Sequence, residues 1–303
     1  MYDQSDPRAA LPTSGTGPAL PSGGYAPPSY VKFYERPPED EDAQGQSWYA
    51  RGQNFVVVYT LARDGARFER SGQKDEYVLI LPDSGTAARV TANGEEQDCA
   101  GEAVVFVPPG DSSIEIRGGG RIVRLFTALS EDLVARCPNN GAYAAPNPLI
   151  PPFKPWPAPP GGYRIRRYGL DVQVEPGRFG RIFRGSTFMV NYLDPRHEPR
   201  DITKLSPHHH DDFEQCSLAL DGEFIHDLRW PWTPNMNHWR EDEHEFCASP
   251  SVAVIPPPSI HTTRAQLHGL NQLVDIFCPP RMDFSRKPGW VLNADDYPMP
   301  DGA

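Results

Sequence analysis

The chemistry-bearing residues of this chain gather in one stretch, residues 206–224, which reads SPHHHDDFEQCSLALDGEF. Three histidines, two aspartates, a glutamate and a glutamine occupy positions 208 to 215. Neutral imidazole is the commonest protein ligand for first-row transition metals. In extended backbone, side chains two apart share a face, so His208 and His210 point one way and His209 the other. A carboxylate at Glu214 or an amide at Gln215 would complete a ligand cluster from the same short segment. An alternating apolar run follows, and Asp221-Gly222 reads as the turn of a hairpin. The competing reading is a polar loop leading into a strand, with the histidines on the surface.

Such a cluster needs a rigid frame, and composition narrows what that frame is. A chain of 303 residues has room for two domains of ordinary size. Its hydrophobic content of 38% is low, but 35 prolines account for much of the deficit. A formal charge of -11 argues against a nucleic-acid partner. No run of about 18 apolar residues occurs, which argues against a transmembrane helix and a membrane partner. The first residues lack a basic region followed by an apolar core, so no secretory signal is read there. Cys99, Cys137, Cys216, Cys247 and Cys278 are scattered, with no Cys-x-x-Cys pair. Reduced, buried thiols in a cytoplasmic protein are the economical expectation.

Texture divides the chain. Residues 1–30 are rich in Pro, Gly, Ser and Ala and read as an arm, either mobile or laid over a neighbouring subunit. Residues 31–138 carry short β-rich runs such as FVVVYTL, EYVLIL and AVVFV, punctuated by DSG, ANG and PPG. Residues 139–162, NNGAYAAPNPLIPPFKPWPAPPGG, form an extended proline-rich strap whose Leu149, Ile150, Phe153 and Trp156 are packed down. The β texture returns over residues 163–285, and residues 286–303 are a tail. Both halves therefore read as strings of short antiparallel strands, the pattern of a sandwich or barrel. Each also holds an apolar strand running into prolines, AVVFVPPG and SVAVIPPP. The second of these is followed by Ser259-Ile260-His261, and the matching place in the first is Ser113.

On these residues the second half resembles a cupin, a small antiparallel jelly-roll barrel. The first family motif has two histidines one residue apart, then Glu or Gln, then a hairpin glycine; here His208, His210, Gln215 (or Glu214) and Gly222 match. The second has Pro, Gly and His; here Pro256, Pro258 in the glycine's place, and His261 match. The resemblance implies an all-β chain of two cupin-type barrels, a bicupin, joined by the proline-rich strap. It further implies that His208, His210, His261 and Gln215, with Glu214 the alternative, converge on one divalent transition metal per chain. Fe(II) is favoured, with Mn, Ni or Zn as alternatives. Gln215 is preferred over Glu214 because its six-residue gap to Gly222 matches the family's spacing. Three imidazoles and an amide leave the metal its full charge, making it a stronger Lewis acid.

The first half resembles a cupin that has lost its site, for no histidine precedes His197. Between the two motifs lies an insertion at 230–246, WPWTPNMNHWREDEHEF. Trp230, Trp232 and Trp239 offer faces for stacking a ring or sugar over the barrel mouth, and Arg264 offers a bidentate contact to a carboxylate. Alternatively, the tryptophans bury themselves against neighbouring structure. The functional expectation is a metal-dependent enzyme acting on a small oxygenated molecule, aromatic or sugar-derived. It leans to an Fe(II) dioxygenase on the strength of the tryptophans. The alternatives are a metal-dependent isomerase or lyase, and a non-catalytic ligand-binding bicupin. A homodimer is the expected assembly.

Overall fold

The computed structural model describes residues 24–173 and 175–300. Its strands form four antiparallel sheets, two in each half. The N-terminal half has a seven-stranded sheet in the order Arg166–Gly169, Ala103–Val107, Tyr77–Leu81, Gly120–Thr127, Phe55–Ala62, Gly45–Arg51 and Asp40–Asp42. Its second sheet holds Arg67–Gln73, Gly110–Arg117, Ala87–Ala92 and Glu95–Cys99. The C-terminal half has a six-stranded sheet in the order Ser29–Lys32, Ser251–Ile255, Gln215–Asp221, Gln272–Phe277, Met189–Tyr192 and Arg181–Arg184. Opposite it lie Glu243–Ala248, Glu223–Arg229 and Ile260–Ala265. Each half is an antiparallel jelly roll, and the chain is all-β apart from short helical turns. No described helix is long and apolar enough to cross a membrane.

Both large sheets are buried on their two faces, which explains why their strands read as continuous apolar runs. From Phe55–Ala62, Phe55, Val57 and Tyr59 enter a core shared by the two halves, while Val56, Val58 and Ala62 enter the N-terminal barrel. In Gln215–Asp221, Cys216, Leu218 and Leu220 enter the shared core, whereas Ala219 packs with Phe224 and Leu273 inside the C-terminal barrel. The alternation fixes what Gln215 faces: it belongs to the inward set with Ser217 and Ala219, and Glu214 to the set facing the other half.

Two expectations from the sequence change here. The arm was expected to run through residue 30, yet Ser29–Lys32 is an edge strand paired with Ser251–Ile255 of this chain's own C-terminal half. Conversely, Arg166–Gly169, from beyond the strap, pairs with Ala103–Val107 of the N-terminal half. Each half thus completes the other's sheet. Residues 1–23 of the expected arm lie outside the described residues. Second, Asp221-Gly222 closes no hairpin, because the strands on either side of it belong to different sheets. Gly222 is the corner at which the chain crosses between sheets. Its φ is +93°, and a Cβ there would lie 2.4 Å from Asn271 Oδ1, so glycine is required twice over.

Within 139–162, Ile150 and Trp156 are buried. The Trp156 N–H donates to the Ser186 carbonyl at 2.7 Å, and the Arg184 guanidinium lies over its indole. All five cysteines are free and buried.

Candidate metal centre

His208 and His261 are brought together by backbone, not by a strand carrying both first-motif histidines. The segment before Gln215 is a loop with one antiparallel bridge: His208 N–H donates to His261 O at 3.1 Å and His261 N–H to His208 O at 2.8 Å. His210 folds inward behind them and stacks on Phe213, with ring centroids 4.3 Å apart. The candidate ligand nitrogens of His208, His210 and His261 all lie within 4.8 Å of one another. His210 and His261 are buried, and His208 is exposed at the open side. His209 points away and lies 3.4 Å from Asp211.

The tautomers follow from the surroundings. His208 Nδ1 faces the Ser206 carbonyl at 2.9 Å, and His261 Nδ1 faces the Ser259 carbonyl at 3.0 Å. A carbonyl only accepts, so each Nδ1 carries its hydrogen and each Nε2 keeps a free lone pair. Burial, followed by neighbouring positive charge, pushes His210 down to about 3. Burial and the adjacent His208 do the same to His261, also to about 3. Both rings are therefore neutral, the form a metal requires.

Gln215 completes the cluster. Its Oε1 lies 3.1 Å from His210 Nε2 and 3.3 Å from His261 Nε2. Its Nε2 donates to Ser217 Oγ at 3.1 Å and to Asp275 Oδ1 at 3.2 Å, which fixes the amide with its oxygen toward the histidines. Ser217 Oγ also donates to Asp275 Oδ1, at 2.7 Å. Asp275 is buried, and desolvation pushes its carboxyl up to about 6. Glu214 turns the other way, where its carboxylate accepts from the Gln53 N–H at 2.6 Å, with Tyr143 beside it. Burial raises it to about 7.

His208, Gln215 and His261 open onto a cavity of about 240 Å³, with Asp275 in its wall and Arg196 and Arg200 beside them. Arg200 spans both histidine segments: its Nη1 donates to Thr263 O and its Nη2 to Ser206 Oγ, each at 2.8 Å. Burial and the adjacent Arg196 charge lower its pKa. Sequence reading missed Arg196, Arg200 and Asp275. Asp275 had a signal, a lone acid inside the apolar run QLVDIF. The arginines had none, since loop positions carry no periodicity.

The residues expected to hold substrate lie elsewhere. Trp230 is 2% exposed and packs with Tyr25, Leu228 and Ile255 under the Arg240 guanidinium. Trp232 and Trp239 stack on each other at 4.5 Å and 6°, and the Trp239 indole N–H donates to Thr233 O. Neither lines the cavity. Arg264 is three positions from His261 on one strand, hence on the opposite face, where it pairs with Asp227 at 2.6 and 3.1 Å.

In the N-terminal barrel, Tyr77 stands where Gln215 stands in the other. Its ring stacks on Phe126 at 4.8 Å and its hydroxyl shares a hydrogen bond with Ser112 Oγ at 2.9 Å. The inward-facing serine is therefore Ser112; Ser113, matched to His261 from the sequence, faces outward. Among the described residues, only His208, His210 and His261 form a cluster able to hold a metal.

Sequence comparison finds no matching family model and no matching curated protein. Solved structures do match. A variant of Bacillus subtilis oxalate decarboxylase superposes with a TM-score of 0.56 at 12% identity, over 88% of this chain and 84% of that one. Lactobacillus farciminis oxalate decarboxylase in complex with formate gives 0.56 at 14% identity, over 87% and 90%. The fold is that of a bicupin. AerE from Microcystis aeruginosa also matches this bicupin fold, with a TM-score of 0.54 at 8% identity over 86% of this chain and all of that one.

Proposed function

We propose that this bicupin is a mononuclear divalent-metal enzyme whose C-terminal barrel acts on a small carboxylate. The observation that carries the reading is the gathering of three imidazole nitrogens within 4.8 Å of one another, with the Gln215 oxygen beside two of them, at the wall of one cavity. Donor chemistry fits a metal: neutral imidazole nitrogens and an amide oxygen only 3.1 and 3.3 Å from two of them face one another with no proton needed between them. His208, His210, His261 and Gln215 would hold it. Bound there, a divalent ion supplies Lewis-acid polarisation of a substrate oxygen.

The chain's own residues do the rest. Ser206 and Ser259 carbonyls aim the two imidazoles, and Asp275 with Ser217 aims the Gln215 amide. Arg200 has committed only two of its five N–H donors, so the others remain for a substrate carboxylate, with Arg196 adding charge at the rim. Phe224, Ala265 and Leu273 give this largely polar cavity an apolar patch.

The lean toward a dioxygenase rested on the tryptophans, which do not line the cavity. A small cavity flanked by guanidinium groups, together with solved neighbours titled as oxalate decarboxylases, supports lyase or isomerase chemistry on a small acid instead. The test is turnover of small dicarboxylic and hydroxy or keto acids, with Mn, Ni or Zn under strict anaerobiosis, beside an O₂-uptake screen with Fe(II). Anaerobic turnover is expected. Turnover only with Fe(II) and stoichiometric O₂ uptake would restore the dioxygenase, and no turnover with any metal would favour a binding protein.

A further inference from the structure

The two halves are tied together by one device used twice. Asn139 receives the Arg51 N–H on Oδ1 at 3.1 Å and returns Nδ2 to the Arg51 carbonyl at 2.7 Å. Asn293 does the same with Arg184, at 2.8 and 2.9 Å. The next residue is glycine in both cases, and a Cβ on Gly52 or Gly185 would lie 2.7 Å from a carboxylate oxygen of Glu214 or Glu76. The residue after that donates its backbone N–H to the same carboxylate: Gln53 to Glu214 at 2.6 Å and Ser186 to Glu76 at 2.9 Å. Four residues beyond each asparagine stands a tyrosine: Tyr297 donates its hydroxyl to Glu76 at 2.6 Å, and Tyr143 lies beside Glu214. Each glutamate belongs to one half and is held by the other. In sequence the device reads RGQ, NNGAY and EQ in one copy, and RGS, NADDY and EY in the other.

One copy abuts the metal centre. Glu214 immediately precedes the strand that Gln215 opens and faces the opposite way, so whatever holds its carboxylate in the interface also decides that the amide faces the histidines. We propose that Asn139, Gln53 and Tyr143 are positioning residues for the metal centre, acting through Glu214 on the facing of Gln215. The copy around Glu76 fixes Tyr77 in a barrel without histidines and serves stability alone. The N-terminal half is then part of the metal site's construction. This rests on the metal reading above.

The duplication supplies its own control. Full-length protein without a histidine tag is titrated with Co(II), following its visible absorption, as wild type, Tyr143→Phe and Tyr297→Phe. Outer-sphere changes typically weaken metal binding by about tenfold or more, so Tyr143→Phe is expected to weaken Co(II) binding roughly tenfold and alter the spectrum, with Tyr297→Phe within about twofold of wild type. Both variants should lower the melting temperature. Unchanged Co(II) affinity and spectrum in Tyr143→Phe would overturn the proposal, as would equal weakening in both variants. If Tyr143→Phe does not fold, Asn139→Asp, which keeps the acceptor and loses the donor, is read by the same criteria. Wild type that binds no Co(II) would refute the metal reading and this proposal with it. That failure is distinct from a wild type that binds beside variants that do not differ.

Discussion

At the scale of residues, the centre depends on which atoms are left free. The backbone bridge between His208 and His261, and the carbonyls that occupy both Nδ1 atoms, leave the Nε2 lone pairs converging. His208→Ala and His261→Ala are expected to lose most of the bound metal while remaining folded, measured by elemental analysis beside circular dichroism. Stoichiometric metal in His261→Ala would remove that residue from the site. Gln215→Ala should weaken metal binding more than Glu214→Ala does. Glu214→Ala should in addition cost about 1–3 kcal/mol of stability, because it strands the Gln53 N–H, as urea melts would read. The reverse order would move the ligand to Glu214. The histidines and the Glu-Gln pair were legible because their spacing is local. Ser-x-His occurs twice, at 206–208 and 259–261, and is a signal that spacing alone did not exploit. Arg200 was not legible, since its role comes from touching two segments distant in sequence.

At the scale of elements, the strand runs were read correctly as β, but their faces were not. A strand buried on both sides, such as AVVFV, shows no alternation, but in SSIEIR Ser112, Ile114 and Ile116 alternate with Ser113, Glu115 and Arg117, a signal for Ser112 inward that matching Ser113 to His261 passed over. Gly222 was recognised as a turn, but a sheet-crossing corner and a hairpin use the same residues. The 230–242 loop was read from its tryptophans, which the structure spends on the loop itself and on the space under Arg240. Trp232→Ala combined with Trp239→Ala is therefore expected to leave metal content and kcat/KM near wild type. Trp230→Ala should destabilise the protein by about 3–5 kcal/mol, as expected for a fully buried aromatic. A large loss of kcat/KM in the double variant would return the loop to the substrate site.

At the scale of the whole molecule, the sequence showed two similar halves and a strap between them, but not how far the halves interpenetrate. Pairing partners more than 200 residues apart, such as Tyr30 and Ala253, leave no local trace. Only the repeated Asn-x-x-x-Tyr and Arg-Gly pairs hinted at it. Each half donates an edge strand to the other, and the large sheets share one core that runs from Val57 and Phe106 to Leu218 and Val254. Arg121 ties the halves further, bonding Asp83 in its own half and the Leu220 carbonyl and Asp221 in the other. Neither half can lose its structure without exposing apolar surface of its partner and leaving a sheet edge unpaired. Unfolding in urea should therefore be one cooperative transition, with tryptophan fluorescence and far-ultraviolet circular dichroism tracing the same curve. The two probes sample the halves unequally, because five of the six tryptophans lie beyond residue 139. Separate folding units would pull the curves apart, and an early fluorescence transition followed by a later loss of β signal would show that the shared core does not couple them.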